Sequence, residues 1–81
     1  MEERIGVVGI VIEDRNTAKR VSEILSQYSE IIVGRMGIPY RERQVSVISI
    51  IVDGSTDHIG AMTGKLGKLP GVSVKSALTK M

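Results

Sequence analysis

Two short stretches of this chain carry side chains whose types and spacing suit the binding of a ligand. The first is EDRNT, residues 13–17, directly ahead of an apolar-periodic run. Backbone amides at a helix start receive anionic groups, and Arg15 with Asn16 adds a cation and an amide able to hold a carboxylate. Glu13, Asp14, Arg15 and Asn16 are therefore the leading candidates for ligand binding. A polar turn with an asparagine cap accounts for the same residues without a ligand. The second stretch is GRMG, residues 34–37, which sets Arg35 between glycines inside an apolar run. Glycine weakens a strand unless a bulge or a close backbone approach calls for it. Arg35 and Gly37 join the candidates, with Arg35 reaching an acid across an interface; a bulge bearing a surface arginine is the alternative.

The templates for catalysis and metal binding fit poorly. His58 is the sole histidine, and no nucleophile stands beside it in the sequence. Asp53, Asp57 and His58 gather around one loop, where carboxylate plus imidazole suits a divalent ion. A full set of three or four ligands is not visible, and solvated helix-cap chemistry explains them equally. GVVG (6–9) lacks the glycine spacing and the strand–turn–helix setting of a phosphate loop. The acid pairs Glu2-Glu3 and Glu13-Asp14 define no dyad by themselves. The absence of cysteine excludes disulfides, thiolate metal sites and thiol nucleophiles. No catalytic residue, no metal and no cofactor are expected, and the chain reads as a non-enzyme.

Composition narrows the partners. Eleven basic residues against nine acidic leave a net charge of +2, a weak argument for nucleic acid. Stacking readers of single strands need aromatics on a sheet face, and the only aromatics are Tyr28 and Tyr40. MEERIG lacks the apolar core of a signal peptide, and no apolar run reaches the ~18 residues of a membrane span. A soluble, cytoplasmic protein with no direct nucleic-acid and no membrane contact is expected. The 81 residues make one domain, 1–81. So short a chain buries only about 60–65% of its unfolded surface, so assembly would help its stability.

The elements that must position the candidates follow from an internal repeat. A shift of forty lays IGVVGIVIED (5–14) on VSVISIIVDG (45–54), matching Gly6 with Ser46, Gly9 with Ser49 and Glu13 with Asp53. A shift of forty-one then lays Ala18, Val21, Leu25 and Tyr28 on Ile59, Met62, Leu66 and Leu69, and Ile31 and Val33 on Val72 and Val74. The spacing predicts an amphipathic helix in each half. Asn16 or Thr17 is the expected cap of the first. Ser55 or Thr56 is that of the second, with Asp57 near its positive end. Leu69-Pro70-Gly71 stops the second helix. Strands are expected at 31–38 and 45–52, joined by a charged connector, Pro39–Gln44.

The order is strand, helix, strand, strand, helix, strand. This is an α+β, ferredoxin-like βαββαβ sandwich, a four-stranded antiparallel sheet with two helices on one face. The crossover rule puts strands one and three side by side in the centre. An acylphosphatase-type site on this fold class needs an asparagine on the third strand, and VSVISIIV has none. On the second helix, Gly60, Gly64 and Gly67 share a stripe roughly 150° from the apolar one. That stripe reads either as deliberate softness or as a smooth ridge, with Lys65 and Lys68 beside it suiting an acidic partner.

Both faces of the central strands are apolar. Ile5, Val7 and Val11 point one way and Val8, Ile10 and Ile12 the other; Val45, Val47 and Ile51 oppose Ile48, Ile50 and Val52. Strands apolar on both sides belong to sheets covered on both sides, and the helices cover only one. Burying ~600 Å2 of apolar area per subunit would favour association by roughly 15 kcal/mol before the costs of binding. A homo-oligomer, dimer or tetramer, is expected, with sheets packed face to face or joined edge to edge.

Three long stretches carry a family resemblance: RIGVVGIVIEDR (4–15), IIVGRMGIPYRER (31–43) and VSVISIIVDGSTDHIGAMTGKLGKLPGVSVKSAL (45–78). Over nearly its whole length the chain resembles the iron-only hydrogenase system regulators. The resemblance implies an ACT-like ferredoxin fold similar to the ligand-binding domain of the nickel-responsive repressor. It also implies oligomerisation, a regulatory role and an association with iron-only hydrogenase maturation. It does not carry over nickel sensing, which uses several histidines and a cysteine where this chain has only His58. Nor does it carry over the repressor's ribbon-helix-helix DNA-binding arm, since the first strand opens at Ile5. ACT domains often bind amino acids at a subunit interface near the first strand-to-helix loop, which favours Glu13–Asn16, although the glycine common in that loop is missing. The expected function is a regulatory oligomer that binds a small-molecule effector and acts on a hydrogenase-system protein. The alternative is a scaffolding oligomer in hydrogenase maturation that binds no small ligand.

Overall fold

The structure, a computed structural model, describes residues 3–80. Met1, Glu2 and Met81 of the expected 1–81 domain lie outside the described residues, and with Glu2 the Glu2-Glu3 pair. The elements are β1 (Glu3–Ile12), α1 (Ala18–Gln27), β2 (Ile32–Tyr40), β3 (Val45–Ser55), α2 (Thr56–Gly67) and β4 (Val72–Lys80). The sheet order is β2-β3-β1-β4, with every neighbouring pair antiparallel. This is the ferredoxin-like βαββαβ arrangement, with β1 and β3 central. No helix of the described residues is long and apolar enough to cross a membrane.

Strand alternation decides what is buried. Val8, Ile10 and Ile12 of β1 and Ile48, Ile50 and Val52 of β3 face the helices and are buried. Val21, Ile24 and Leu25 of α1 pack onto them beside Ile59, Met62 and Leu66 of α2. Such apolar stripes bind a helix to a sheet because each buried side chain contributes ~1.5–3 kcal/mol. The opposite side of the same strands stays open, and Ile5, Val7, Val47 and Ile51 are exposed there.

The internal repeat is built into the ladder. Gly9 lies directly opposite Ser49, the very pair that the forty-residue shift superposes. The rotation relating the two halves therefore passes between these two residues. In the outer strands the correspondence shifts by one residue. Ile32 faces Val52 as Val72 faces Ile12, so Ile32, not Ile31, is the counterpart of Val72. The cause is a 3-10 turn, Ser29–Ile31, that consumes Ile31 and tucks it into the core. A register irregularity between Ile32 and Gly34 follows, which leaves Val33 exposed.

Three boundaries also move. β1 opens at Glu3, two residues ahead of the expected Ile5, because Glu3 and Arg4 continue the ladder opposite Ser55 and Gly54. Pro39 and Tyr40 belong to β2, opposite Ser46 and Val45, so the connector shrinks to Arg41–Gln44. Proline is tolerated because β2 is an edge strand, where one side needs no ladder donor. Gln44 closes the turn in the left-handed region, φ 56°. The third strand runs on to Ser55, whose hydroxyl accepts the His58 N–H at 3.1 Å and caps α2.

Leu25, almost fully buried, measures the core. Leu25→Ala is expected to lower the unfolding free energy by about 2–5 kcal/mol. Urea titration at fixed protein concentration should show a lower midpoint with an unchanged slope. Val33→Ala, on an exposed side chain, should stay within about 0.5 kcal/mol.

Candidate functional site

The first strand-to-helix loop is held from below. Where β1 ends, the Glu13 N–H donates to the Gly71 carbonyl at 2.7 Å. Gly71 has φ +72°, and a Cβ there would sit 2.7 Å from the Asp14 Cβ and 3.0 Å from its nitrogen. Only glycine accepts that conformation without strain and leaves room for so close an approach. The turn before β4 thus clamps the loop after β1.

Above the clamp, Asp14 organises the turn. Its Oδ1 accepts the Asn16 N–H at 2.9 Å, and its carbonyl accepts both the Thr17 N–H at 3.0 Å and the Thr17 hydroxyl at 2.7 Å. The Ala18 N–H goes to the Arg15 carbonyl. Asp14 thus caps the short 3-10 turn Arg15–Thr17 that leads into α1. Of the two expected caps, Thr17 holds the N-cap position of α1 without a side-chain cap hydrogen bond, and Asn16 is the donor to Asp14. The amides of Asn16, Thr17 and Ala18 are consumed within the loop. An incoming anion would be gripped by side chains.

Those side chains come from two separate elements. A cleft of about 250 Å3 opens between the loop and the end of the β2–β3 hairpin. Its apolar lining is Ile12, Ala18, Pro39, Tyr40 and Val45; its polar lining is Glu13, Arg15, Arg41, Gln44 and Ser46. A shallower depression shares Glu13, Arg15, Arg41 and Gln44 and adds Asp14. Two guanidiniums at the rim and a carboxylate beside them suit a small molecule with a carboxylate and an apolar portion.

Glu13, Asp14 and Arg15 thus converge with hairpin residues that sequence reasoning did not single out: Tyr40, Arg41 and Gln44. No spacing signal joins residues 13–15 to 40–44. They meet because Ile12 pairs with Ser46 in the ladder, which brings the end of β1 alongside the start of β3. Asn16 does not line the cleft. Arg35 and Gly37 lie elsewhere: they sit opposite Ile50 and Ile48 on the helix-facing side of β2. A Cβ at Gly37 would be 3.7 Å from Ile48 Cγ1, an ordinary contact, so no close approach accounts for that glycine.

The remaining candidates have structural settings. The His58 ring meets Tyr28 edge to face, with centroids 6.1 Å apart and planes at 88°. Lys65 Nζ stands 5.1 Å from the Tyr28 ring centre, a cation–π contact between α2 and the end of α1. Among the described residues, no three of histidine, cysteine, aspartate and glutamate come together to hold a metal ion. A Cβ added at Gly60, Gly64 or Gly67 would meet nothing within 4 Å, so this ridge faces open space.

Comparison with known proteins gives the chain a family. Residues 4–76 match the family described as TM1266-like iron-only hydrogenase system regulator. The chain is similar to the solved structure of the uncharacterized protein TM1266 from Thermotoga maritima, at 42% identity and TM-score 0.91, covering 98% of this chain and all of that one. More distant structures share the fold. One, described as a glycine cleavage system transcriptional repressor, has 15% identity and TM-score 0.71 over 98% of this chain and 47% of that one. The other is the apo form of the nitrogen regulatory PII-like protein CPII from Thiomonas intermedia K12, with 11% identity and TM-score 0.54 over 96% and 94%. These are ACT-like and PII-like ferredoxin folds. No curated protein matches the chain.

The clamp under the loop is open to test. Gly71→Ala is expected to cost about 1–3 kcal/mol of stability through a strained backbone and the collision with Asp14. Hydrogen exchange should show the Glu13 amide losing protection ahead of the amides of β3. A variant as stable as the parent, with Glu13 still protected, would remove the clamp from the account.

Proposed function

The chain belongs to the TM1266-like family of iron-only hydrogenase system regulators, and on that premise we propose that it is a non-catalytic regulatory module. It works in the cytoplasm as a single-domain homo-oligomer. It binds a small-molecule effector and passes the outcome to a protein of the hydrogenase system.

One observation carries this reading: the cleft lined jointly by Arg15 of the first loop, Arg41 of the hairpin and an apolar set that includes Ile12, Ala18 and Val45. Cations on two independent elements let a bound carboxylate tie the loop to the hairpin. That link changes the relative free energy of conformations in which the two are close or apart, which is what an effector must do. Glu13 offers a counter-charge for an amino group on the same ligand.

The exposed apolar sheet face favours a second reading. In it the chain is a scaffolding oligomer in hydrogenase maturation, with the cleft empty in use.

Thermal unfolding against amino acids, other small carboxylates, nucleotides and divalent metals separates the two. A genuine effector at a hundred times its Kd should add about 2.7 kcal/mol of stability. The shift should saturate and should vanish in both Arg15→Ala and Arg41→Ala. An oligomer whose unfolding no such compound moves would favour the scaffold.

A further inference from the structure

We propose that the uncovered face of the sheet packs against the same face of a second copy of this chain, with β1, β2 and β3 inside the contact and β4 outside it. This rests on the oligomeric reading above and decides between the two modes of joining that the sequence left open.

Strand alternation collects large apolar side chains on that face. Val7 is 47% exposed on β1, Ile51 47% on β3, and Met36 63% and Ile38 52% on β2. Tyr40, opposite Val45, extends the patch to the margin of the cleft. The patch amounts to on the order of 600 Å2, the upper end of what a monomer normally shows. It approaches the ~800 Å2 per partner of a standard stable interface.

The distribution of polar groups sets the boundary. On β4 the row through Ile38, Val47 and Val11 ends in Ser73 and the row through Met36, Ser49 and Gly9 ends in Lys75, while the row through Ile51 and Val7 ends in the small Ala77. Asp53, opposite Ile5, marks one end. Between Asp53 and Lys75 the rows of β2, β3 and β1 on this face hold no charged side chain, so a twofold contact centred on them buries no charge. A self-complementary contact requires that of an isologous interface.

The centre of the patch is low. Gly9 and Ser49 face each other there, ringed by Val7, Val11, Val47 and Ile51. A Cβ on Gly9 would meet nothing closer than the Lys75 carbonyl at 3.9 Å, so its own subunit does not need the glycine. A glycine inside a strand marks a place where another chain comes close, and a protruding side chain of the second copy, such as its Met36, would fill the hollow.

Joining edge to edge does not meet the same need. The β2 edge is interrupted by Pro39, which has no N–H, and by the irregularity at Val33; both features blunt strand addition. Pairing through β4 would leave the apolar face in water. Sheets packed face to face, ~10 Å apart and turned by about 30°, cover it.

Sedimentation equilibrium on the full chain tests this directly. The wild type should exceed the 8.8 kDa of one chain. Ile51→Lys and Met36→Lys should each raise the dissociation constant about a hundredfold or more, with circular dichroism unchanged. Ser73→Lys, beyond the patch on β4, should leave association as it was. If Ile51→Lys fails to fold, Met36→Lys on the more exposed edge strand decides. A wild-type oligomer that withstands the lysines overturns the face contact and leaves the oligomeric reading standing. A wild type that stays monomeric at high concentration overturns both and assigns the face to some other occupant.

Discussion

A two-layer sandwich shelters one side of its sheet, and the two central strands of this one are apolar on both. That mismatch governs the molecule. On the sheltered side, Val8, Ile10, Ile50 and Val52 vanish completely from solvent beneath the helices. This buried layer fixes the register of β1 against β3, because a slip of one residue would turn every one of these side chains outward. On the other side the same alternation, with no helix to receive it, leaves a dry surface in water.

The fixed register has a second effect, at the end of the sheet. With Ile12 held opposite Ser46, the loop leaving β1 and the hairpin entering β3 cannot avoid each other. The loop is further tied by Gly71 from below, and the amides of Asn16 and Thr17 are spent on Asp14 and that of Ala18 on Arg15. A loop whose helix-start amides are spent internally offers guanidinium and carboxylate groups in place of a backbone cradle. The cleft is thus a product of strand pairing and not of any local motif.

The sequence made the layers legible because they depend on period. Alternation in β1 and β3, and the stripes through Val21–Leu25 and Met62–Leu66, are local regularities that survive without coordinates. The Gly9–Ser49 match even marked where the two halves meet. Illegible were the places where the chain adds or consumes a residue: the 3-10 turn at Ser29–Ile31, the swelling at Val33, and the turn after Tyr40. Half of the candidate site was readable, since Glu13, Asp14 and Arg15 lie in the loop of interest. Arg41 and Gln44 were not, because only tertiary pairing brings them there. Asn16 and Thr17 looked like caps because caps are read from residue type; Thr17 holds the N-cap position of α1, and the side-chain bond is made one turn earlier by Asp14. Arg35 and Gly37 drew attention through glycine spacing, yet they flank the helix-facing edge of β2, away from the cleft.

Tyr28 and Tyr40 are the chain's only aromatic side chains, with neither tryptophan nor phenylalanine present. Tyr28 is pinned in the helical layer between Lys65 and His58. Tyr40 stands at the corner shared by the cleft and the open sheet. Tyrosine ring-proton resonances therefore come as one set from each side of the molecule, and events on the two sides can be followed separately by magnetic resonance without attaching a label.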